Sequence, residues 1–185
     1  MSKGKLIVIS GASGVGKGTV LAKMMEKRND LFFSVSATTR DPRPGEVDGV
    51  HYFFISKECF EEMIRNNEFL EYDAHAANYY GTLRGQADAK LEKGHVLLDI
   101  EPKGAAQVRE AAPDATLVFI MPPSVEELER RLRGRGDTSE EQIAMRMERA
   151  VWEMEQRNWY DHVVVNDDAV RCADEILSII SNLED

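Results

Sequence analysis

Nine residues near the start of the chain, Gly11-Ala12-Ser13-Gly14-Val15-Gly16-Lys17-Gly18-Thr19, constrain its fold more than any other stretch. They follow an apolar run of strand length, Leu6 to Ser10, and open an amphipathic run of helix length, Lys17 to Arg28. Glycines in that setting let successive backbone N–H groups turn toward one point, and the helix N-terminus adds partial positive charge there. Lys17 adds a full charge able to reach the β- and γ-phosphates of a nucleoside triphosphate. The GxxxxGK spacing between strand and helix separates this loop from a plain glycine-rich turn, and all nine residues are expected to bind a nucleoside triphosphate. At the position after Lys17, where Ser or Thr usually offers a hydroxyl to Mg²⁺, the chain has Gly18. Thr19 is then the candidate hydroxyl, and Mg²⁺ is expected to rely more on water and phosphate oxygens. Motors, GTPases and small-molecule kinases all use such a loop, so the reaction must be read elsewhere.

The remaining pattern alternates apolar runs with amphipathic ones. Strands are expected at Phe32 to Ser36, His51 to Ile55, Glu68 to Asp73, His95 to Ile100, Thr116 to Met121 and His162 to Asn166. Helices are expected at Lys57 to Asn67, Arg84 to Lys93, Ser124 to Arg133, Ser139 to Arg157 and Ala169 to Leu183. Such alternation implies an α/β fold with a parallel sheet flanked by helices. The stretch from Val35 to Lys93, with Pro42, Pro44, Gly45 and Gly49, has closely spaced short strands and reads as a small mixed α+β insertion. The 185 residues suffice for one domain with a real core. Their formal net charge of −10 argues against nucleic acid and acidic lipid as partners, so local basic clusters must hold any anionic ligand. Cys59 and Cys172 have no metal-ligand spacing and are expected to be reduced thiols. The first apolar run is too short for a signal peptide or membrane span, and a cytoplasmic location is expected.

Two such basic clusters stand out. Arg40 and Arg43 share a loop stiffened by Pro42 and Pro44, with Tyr52 nearby, a set able to hold a terminal phosphate, the competing reading being a solvated loop with ordinary surface charges. Arg130, Arg131, Arg133 and Arg135 fall within six residues, followed by Arg146. Arg131 and Arg135 would share a helix face, where like charges cost about 0.2–0.5 kcal/mol unless an anion lies between them. Gly134 and Gly136 suggest a hinged piece, a lid over ATP. The competing reading is a solvated helix end whose arginines pair with Glu126, Glu127, Glu129, Glu140 and Glu141. Carboxylates recur as well: Glu71, and then Asp99 and Glu101 at the end of an apolar strand. Guanine presents adjacent N1–H and N2–H₂ donors that one carboxylate accepts together, and adenine lacks that pair. Glu71 is thus a sensible selector for guanine, with Ser36 or Thr82 serving its O6 or N7. Asn166 precedes Asp167 and Asp168 at a strand-to-helix turn, where Asp168 suits a helix N-cap.

The runs SVSATTRDPRPGEVDG, FLEY, NYYGT, LLDIE and PPSVEELERRLRGRG, in this order behind the phosphate loop, resemble the guanylate kinase family over nearly the whole chain. The resemblance implies a P-loop core at about 1–34, 94–129 and 147–185, a GMP-binding subdomain at about 35–93 and a helical lid at about 130–146. It implies that Ser36, Glu71, Thr82 and Asp99 read guanine and that Arg40, Arg43, Tyr52 and Tyr80 hold the GMP phosphate. It names Lys17, Arg131, Arg135 and Arg146 as catalytic, with Asn166 beside adenine and Asp99 a candidate for Mg²⁺ through water. Glu101 and Lys103 depart from the family, which usually has Asp and Gln there. The substrates implied are ATP, with Mg²⁺, and GMP or dGMP. The alternatives are a kinase for another small phosphorylated acceptor and a non-catalytic binding module, which typically lacks the loop lysine and lid arginines. Trp152, Trp159 and Tyr160, on a late helix, read as core.

Overall fold

The computed structural model describes residues 4–75, 77–134 and 139–184. In chain order the elements are β1 (Leu6–Gly11), α1 (Lys17–Lys27), β2 (Leu31–Phe33), β3 (Ala37–Thr38), β4 (Phe53–Phe54), α2 (Lys57–Arg65), β5 (Phe69–His75), β6 (Asn78–Leu83), α3 (Arg84–Leu91), β7 (His95–Asp99), α4 (Pro102–Ala111), β8 (Thr116–Met121), α5 (Val125–Arg133), α6 (Glu140–Glu155), a 3₁₀ turn (Gln156–Trp159), β9 (His162–Val165) and α7 (Ala169–Asn182). The fold is α/β, a parallel sheet flanked by helices. Most elements lie where periodicity and capping put them. Ser56, Ser124, Ser139 and Asp168 each cap a helix through the side chain, and Ser139 with Gln142 forms a full capping box. Helix α4 and the strands β3 and β6 are not among the expected elements, although Pro102 at the first position of α4 is a start signal.

The chain divides into two compact units, one of residues up to Val8 with Asp30–Thr116, the other of Ile9–Asn29 with residues from Leu117 on. In the first, strands run in the order β2-β7-β1, with β2 parallel to β7. The first unit also holds a separate four-stranded sheet, β4-β3-β6-β5, lying wholly inside the stretch read as an insertion. Its core is aromatic: Phe60 on α2 stacks on Phe69 at 4.3 Å and on Tyr79 at 5.2 Å, over Ala37. In the second unit the order is β1-β8-β9, with β8 parallel to β9. Leu117 to Ile120 are fully buried, as a strand covered on both faces requires. Trp152 corrects one expectation. It is 44% exposed on α6, while Tyr160 is buried. Cys172 is buried, which pushes its thiol up to about 12, and Cys59 is exposed.

Candidate functional site

In the second unit, β1 ends at Gly11 and α1 begins at Lys17, so the loop between them is fixed at both ends. Gly14 and Gly16 adopt φ of 87° and 93°, left-handed values that strain any side chain, and these turns fold the backbone into a nest. Val15 N–H donates to Ala12 O at 3.0 Å, and Thr19 and Val20 N–H donate to Gly16 O. Distant residues brace this loop. The Asn166 amide donates to Val15 O at 2.8 Å, and Arg131 donates to the same carbonyl at 3.0 Å, so both its lone pairs are used. Ser13 N–H donates to Oε2 of Glu153 at 2.7 Å, and Arg149 donates to the other oxygen of that buried carboxylate at 3.1 Å. Leu132 on α5 packs against Gly14 so tightly that a Cβ there would lie 2.6 Å from it. Lys17 is half-buried in the first turn of α1, and Gly18 and Thr19 are exposed.

The arginine cluster divides by partner. Arg130 forks onto Glu127, and Arg133 forks onto Glu129 and pairs with Glu140, as the solvated-helix reading expects. Arg131 differs: it binds Glu127 at 2.8 Å, Val15 O at 3.0 Å and Asn166 O at 3.1 Å, so its guanidinium is docked on the loop backbone. The two guanidinium groups on Glu127, Arg130 first, hold its carboxyl down at about 2. Arg146 is exposed on α6, two turns ahead of Glu153, and Arg135 lies outside the described residues. Asn166 is 4% exposed, and its amide braces the loop. Asn166→Ala should therefore strand one lone pair of Val15 O and lower stability by about 1–3 kcal/mol in urea unfolding. It should weaken nucleoside triphosphate binding in the same variant, measured by calorimetry.

In the first unit, β5 and β6 pair antiparallel with a bulge between Phe69 and Glu71. A bulge puts two residues opposite one and turns the next side chain over. Phe69, Leu70 and Glu71 are consequently all buried, and Glu71 stands opposite Thr82. The Thr82 hydroxyl donates to Glu71 Oε1 at 2.6 Å. Burial pushes the Glu71 carboxyl above its ordinary value, against the opposing pull of Thr82. Ser36, half-buried, precedes β3, and Asp99 and Glu101 are exposed at the end of β7 and the start of α4.

Arg40, Tyr52 and Tyr80 come together. The Arg40 guanidinium lies over the Tyr52 ring at 5.5 Å, and the Tyr52 and Tyr80 rings meet edge-on at 6.1 Å. Glu46, a residue given no role from sequence, holds this group. It accepts two bonds from Arg40 at 3.0 and 2.9 Å and one from Arg43 N–H at 2.7 Å. Bonds to Arg40 first, then to the Arg43 backbone, hold its carboxyl down at about 2. Pro44-Gly45 was the available signal. With Gly45 at φ 89° and Glu46 N–H bonded to Arg43 O at 3.0 Å, residues 43–46 form a tight turn that returns Glu46 beneath both arginines. Glu153 had a similar signal, one heptad after Arg146 on the same helix face. The Arg43 side chain is exposed.

One unit thus offers a nest for chained phosphates with a lysine and a docked arginine. The other offers a buried carboxylate–hydroxyl pair and an arginine–tyrosine cluster. A family model described as guanylate kinase matches residues 3–183. The guanylate kinase of Thermus thermophilus is 49% identical over 180 residues, covering 97% of this chain and 81% of that protein. That of Trichormus variabilis is 51% identical over 168 residues, covering 90% and 84%. The crystal structure of guanylate kinase from Anaplasma phagocytophilum superposes with a TM-score of 0.75 at 32% identity, covering 98% of this chain and 87% of that one.

Proposed function

The chain belongs to the guanylate kinase family, and from that membership we infer that it transfers the γ-phosphoryl group of MgATP to GMP, and to dGMP, giving ADP and GDP or dGDP. The observation that carries the acceptor assignment is the buried Glu71–Thr82 pair, in the same unit as the Arg40–Tyr52–Tyr80 cluster. A buried carboxylate can accept guanine N1–H and N2–H together, and adenine or a pyrimidine cannot offer that pair. Thr82, Ser36 and Asp99 complete the guanine set in this reading, and Arg40, Arg43, Tyr52 and Tyr80 take the GMP phosphate through charge-assisted bonds.

An oxygen of the GMP phosphate attacks the γ-phosphorus in line, the new O–P bond forming as the bond to the β-bridging oxygen breaks and ADP leaves. The attacking phosphate is already ionised near neutral pH, so positioning and charge neutralisation suffice without a general base. Residues Gly11 to Thr19 cradle the triphosphate. Lys17, Arg131, Arg135 and Arg146 neutralise the equatorial oxygens as charge moves. Asn166 acts from behind the loop through Val15. Mg²⁺ enters as part of the MgATP substrate. Thr19 and Asp99, both exposed, carry oxygen donors of the hard kind this ion takes, Asp99 through water. We assign the core, acceptor subdomain and lid to 1–34 with 94–129 and 147–185, to 35–93 and to 130–146, and the lid and subdomain close to exclude water. Among the described residues no helix is long and apolar enough to cross a membrane. We place the reaction in cytoplasmic purine metabolism.

The test is ADP formation from MgATP with GMP, dGMP, AMP, CMP and UMP offered separately. Turnover with GMP and dGMP alone is expected. Preference for another nucleotide would keep the kinase and discard the guanine assignment, and ATP binding without transfer to any of them would point to a binding module.

Glu46 gives a narrower check. Glu46→Gln loses the charge that fastens Arg40 and should raise the KM for GMP about tenfold while leaving that for ATP unchanged. The pH sign follows from its depressed value: the stabilisation is complete above the ordinary carboxyl range near 4.5 and is lost as pH falls toward 2. A carboxyl ¹³C titration of Glu46 with its midpoint at the ordinary value would overturn the clamp.

A further inference from the structure

We propose that Gly104 is a specificity-determining positioning residue for guanine: its missing side chain lets the Glu71 carboxylate lodge against the first turn of α4, and this fixes where the base is read. The proposal rests on the assignment of GMP as acceptor. Gly104 is the third residue of α4 and is buried. A Cβ built on it would lie 2.8 Å from Glu71 Oε2 and 3.3 Å from the carboxyl carbon. Real side chains do not approach so closely, so an alanine there must displace the carboxylate.

Glycine inside a helix is disfavoured relative to alanine, and the next two residues of α4 are Ala105 and Ala106. The helix by itself would therefore gain from a side chain at 104, and the demand for none comes from across the interface, from Glu71. The interface cannot open to relieve it. Gln107, one turn beyond Gly104 on the same face, grips the backbone of the residue after Glu71: Tyr72 N–H donates to Gln107 Oε1 at 3.1 Å, and Gln107 Nε2 donates to Tyr72 O at 2.8 Å. Glu71 is also held from the other side, since its Oε1 takes the Thr82 hydroxyl at 2.6 Å. Oε2 is the oxygen facing Gly104, and the N-terminal turn of α4 gives it a favourable partial positive charge. The atoms that would have to give way are the far end of a flexible side chain. Gly104→Ala is therefore tolerable for the fold and damaging for recognition, the reverse of an ordinary packing glycine.

The experiment compares steady-state kinetics and thermal unfolding of wild type, Gly104→Ala, Glu71→Asp and the double variant. Gly85→Ala is the control, because a Cβ at Gly85 on α3 meets nothing within 4 Å. Gly104→Ala is expected to raise the KM for GMP roughly tenfold or more, the loss of a bond to a charged group, with the KM for ATP within about twofold and the melting temperature not lowered. Adding Glu71→Asp, whose shorter stem withdraws the carboxylate from the new methyl, should lower that KM again, although Glu71→Asp alone raises it. This sign reversal is a coupling that a merely structural role would not produce. An unchanged KM for GMP in Gly104→Ala overturns the proposal, as does an equal loss toward both substrates with a lowered melting temperature, or strictly additive effects in the double variant. Wild type that fails to use GMP overturns the acceptor assignment itself and is seen before any variant is read.

Discussion

Lys17→Met is expected to lower kcat for GMP phosphorylation by about two to three orders of magnitude, the usual consequence of removing one preorganised donor from developing charge. Lys17 stands in the first turn of α1, immediately after the left-handed Gly16, where the loop N–H groups and the helix dipole already favour anions. Those backbone groups remain in the variant, so MgATP should still bind, more weakly. In the proposed mechanism the lysine's distinct contribution is to the charge that moves onto the bridging and equatorial oxygens during transfer, and the loss should fall mainly on kcat. GMP affinity, measured alone by calorimetry, should be unchanged, because the residues proposed to bind GMP belong to the other unit. Lys17→Arg should recover little, since a planar fork does not replace a compact ammonium within a nest of this size. A kcat within about tenfold of wild type for Lys17→Met would remove the lysine from the mechanism.

Glu71→Ala should lower kcat/KM for GMP by roughly two to four orders of magnitude, two charge-assisted bonds being worth about 1.5–3 kcal/mol each. The KM for ATP should hold. The effect is large because the site is buried, so water cannot stand in for the lost acceptor. Glu71→Gln should fare little better in activity, since its amide N–H₂ opposes the guanine donors that the carboxylate accepted. In stability the two substitutions separate. Burial raises the Glu71 carboxyl above its ordinary value, so ionising it in the free protein opposes folding. That group's contribution to stability is fully present below the ordinary carboxyl range and is lost as pH rises through its raised value. Glu71→Gln should therefore melt at or above wild type at neutral pH, and the advantage should shrink in acid. The same shift predicts that GMP affinity falls on acidification through the raised value, because a protonated carboxyl no longer accepts both donors. A Glu71→Gln variant that is less stable than wild type at neutral pH would show that the charge supports the fold rather than the ligand.

Much of the fold was legible because it is written locally. Glycine spacing and the strand-to-helix context specify the phosphate loop within nine residues, Ser124, Ser139 and Asp168 announce their helices, and buried strands such as Thr116–Met121 are continuous apolar runs. Three elements escaped that reading: α4 carries Gly104 among alanines and so lacks a strong apolar stripe, β3 is only two residues long, and β6 mixes Asn78 and Gly81 into a half-buried run. The assignment of Arg40, Arg43 and Tyr52 to a phosphate rests on resemblance, for the two arginines and the phenol could equally have lain on a solvated loop, whereas Glu71 is proposed from guanine's paired donors.

The sequence by itself determined that this chain makes an anion-binding loop, alternates strands with helices, and carries carboxylates and arginines enough for a nucleotide acceptor. Only the tertiary structure decided which of them come together. Glu71 meets Thr82 because a bulge shifts the β5–β6 register, and a register shift leaves no mark on hydrophobic periodicity. Arg131 docks on Val15 O across 116 residues while Arg130 and Arg133 spend themselves on local carboxylates, a choice set by how α5 lies on the loop. Glu153 reaches Ser13 across 140 residues, and Gly104 leaves room for a carboxylate 33 positions earlier in the chain. Side-chain chemistry is local and can be read residue by residue; the distances that turn it into a site are set by the packing of elements far apart in the chain.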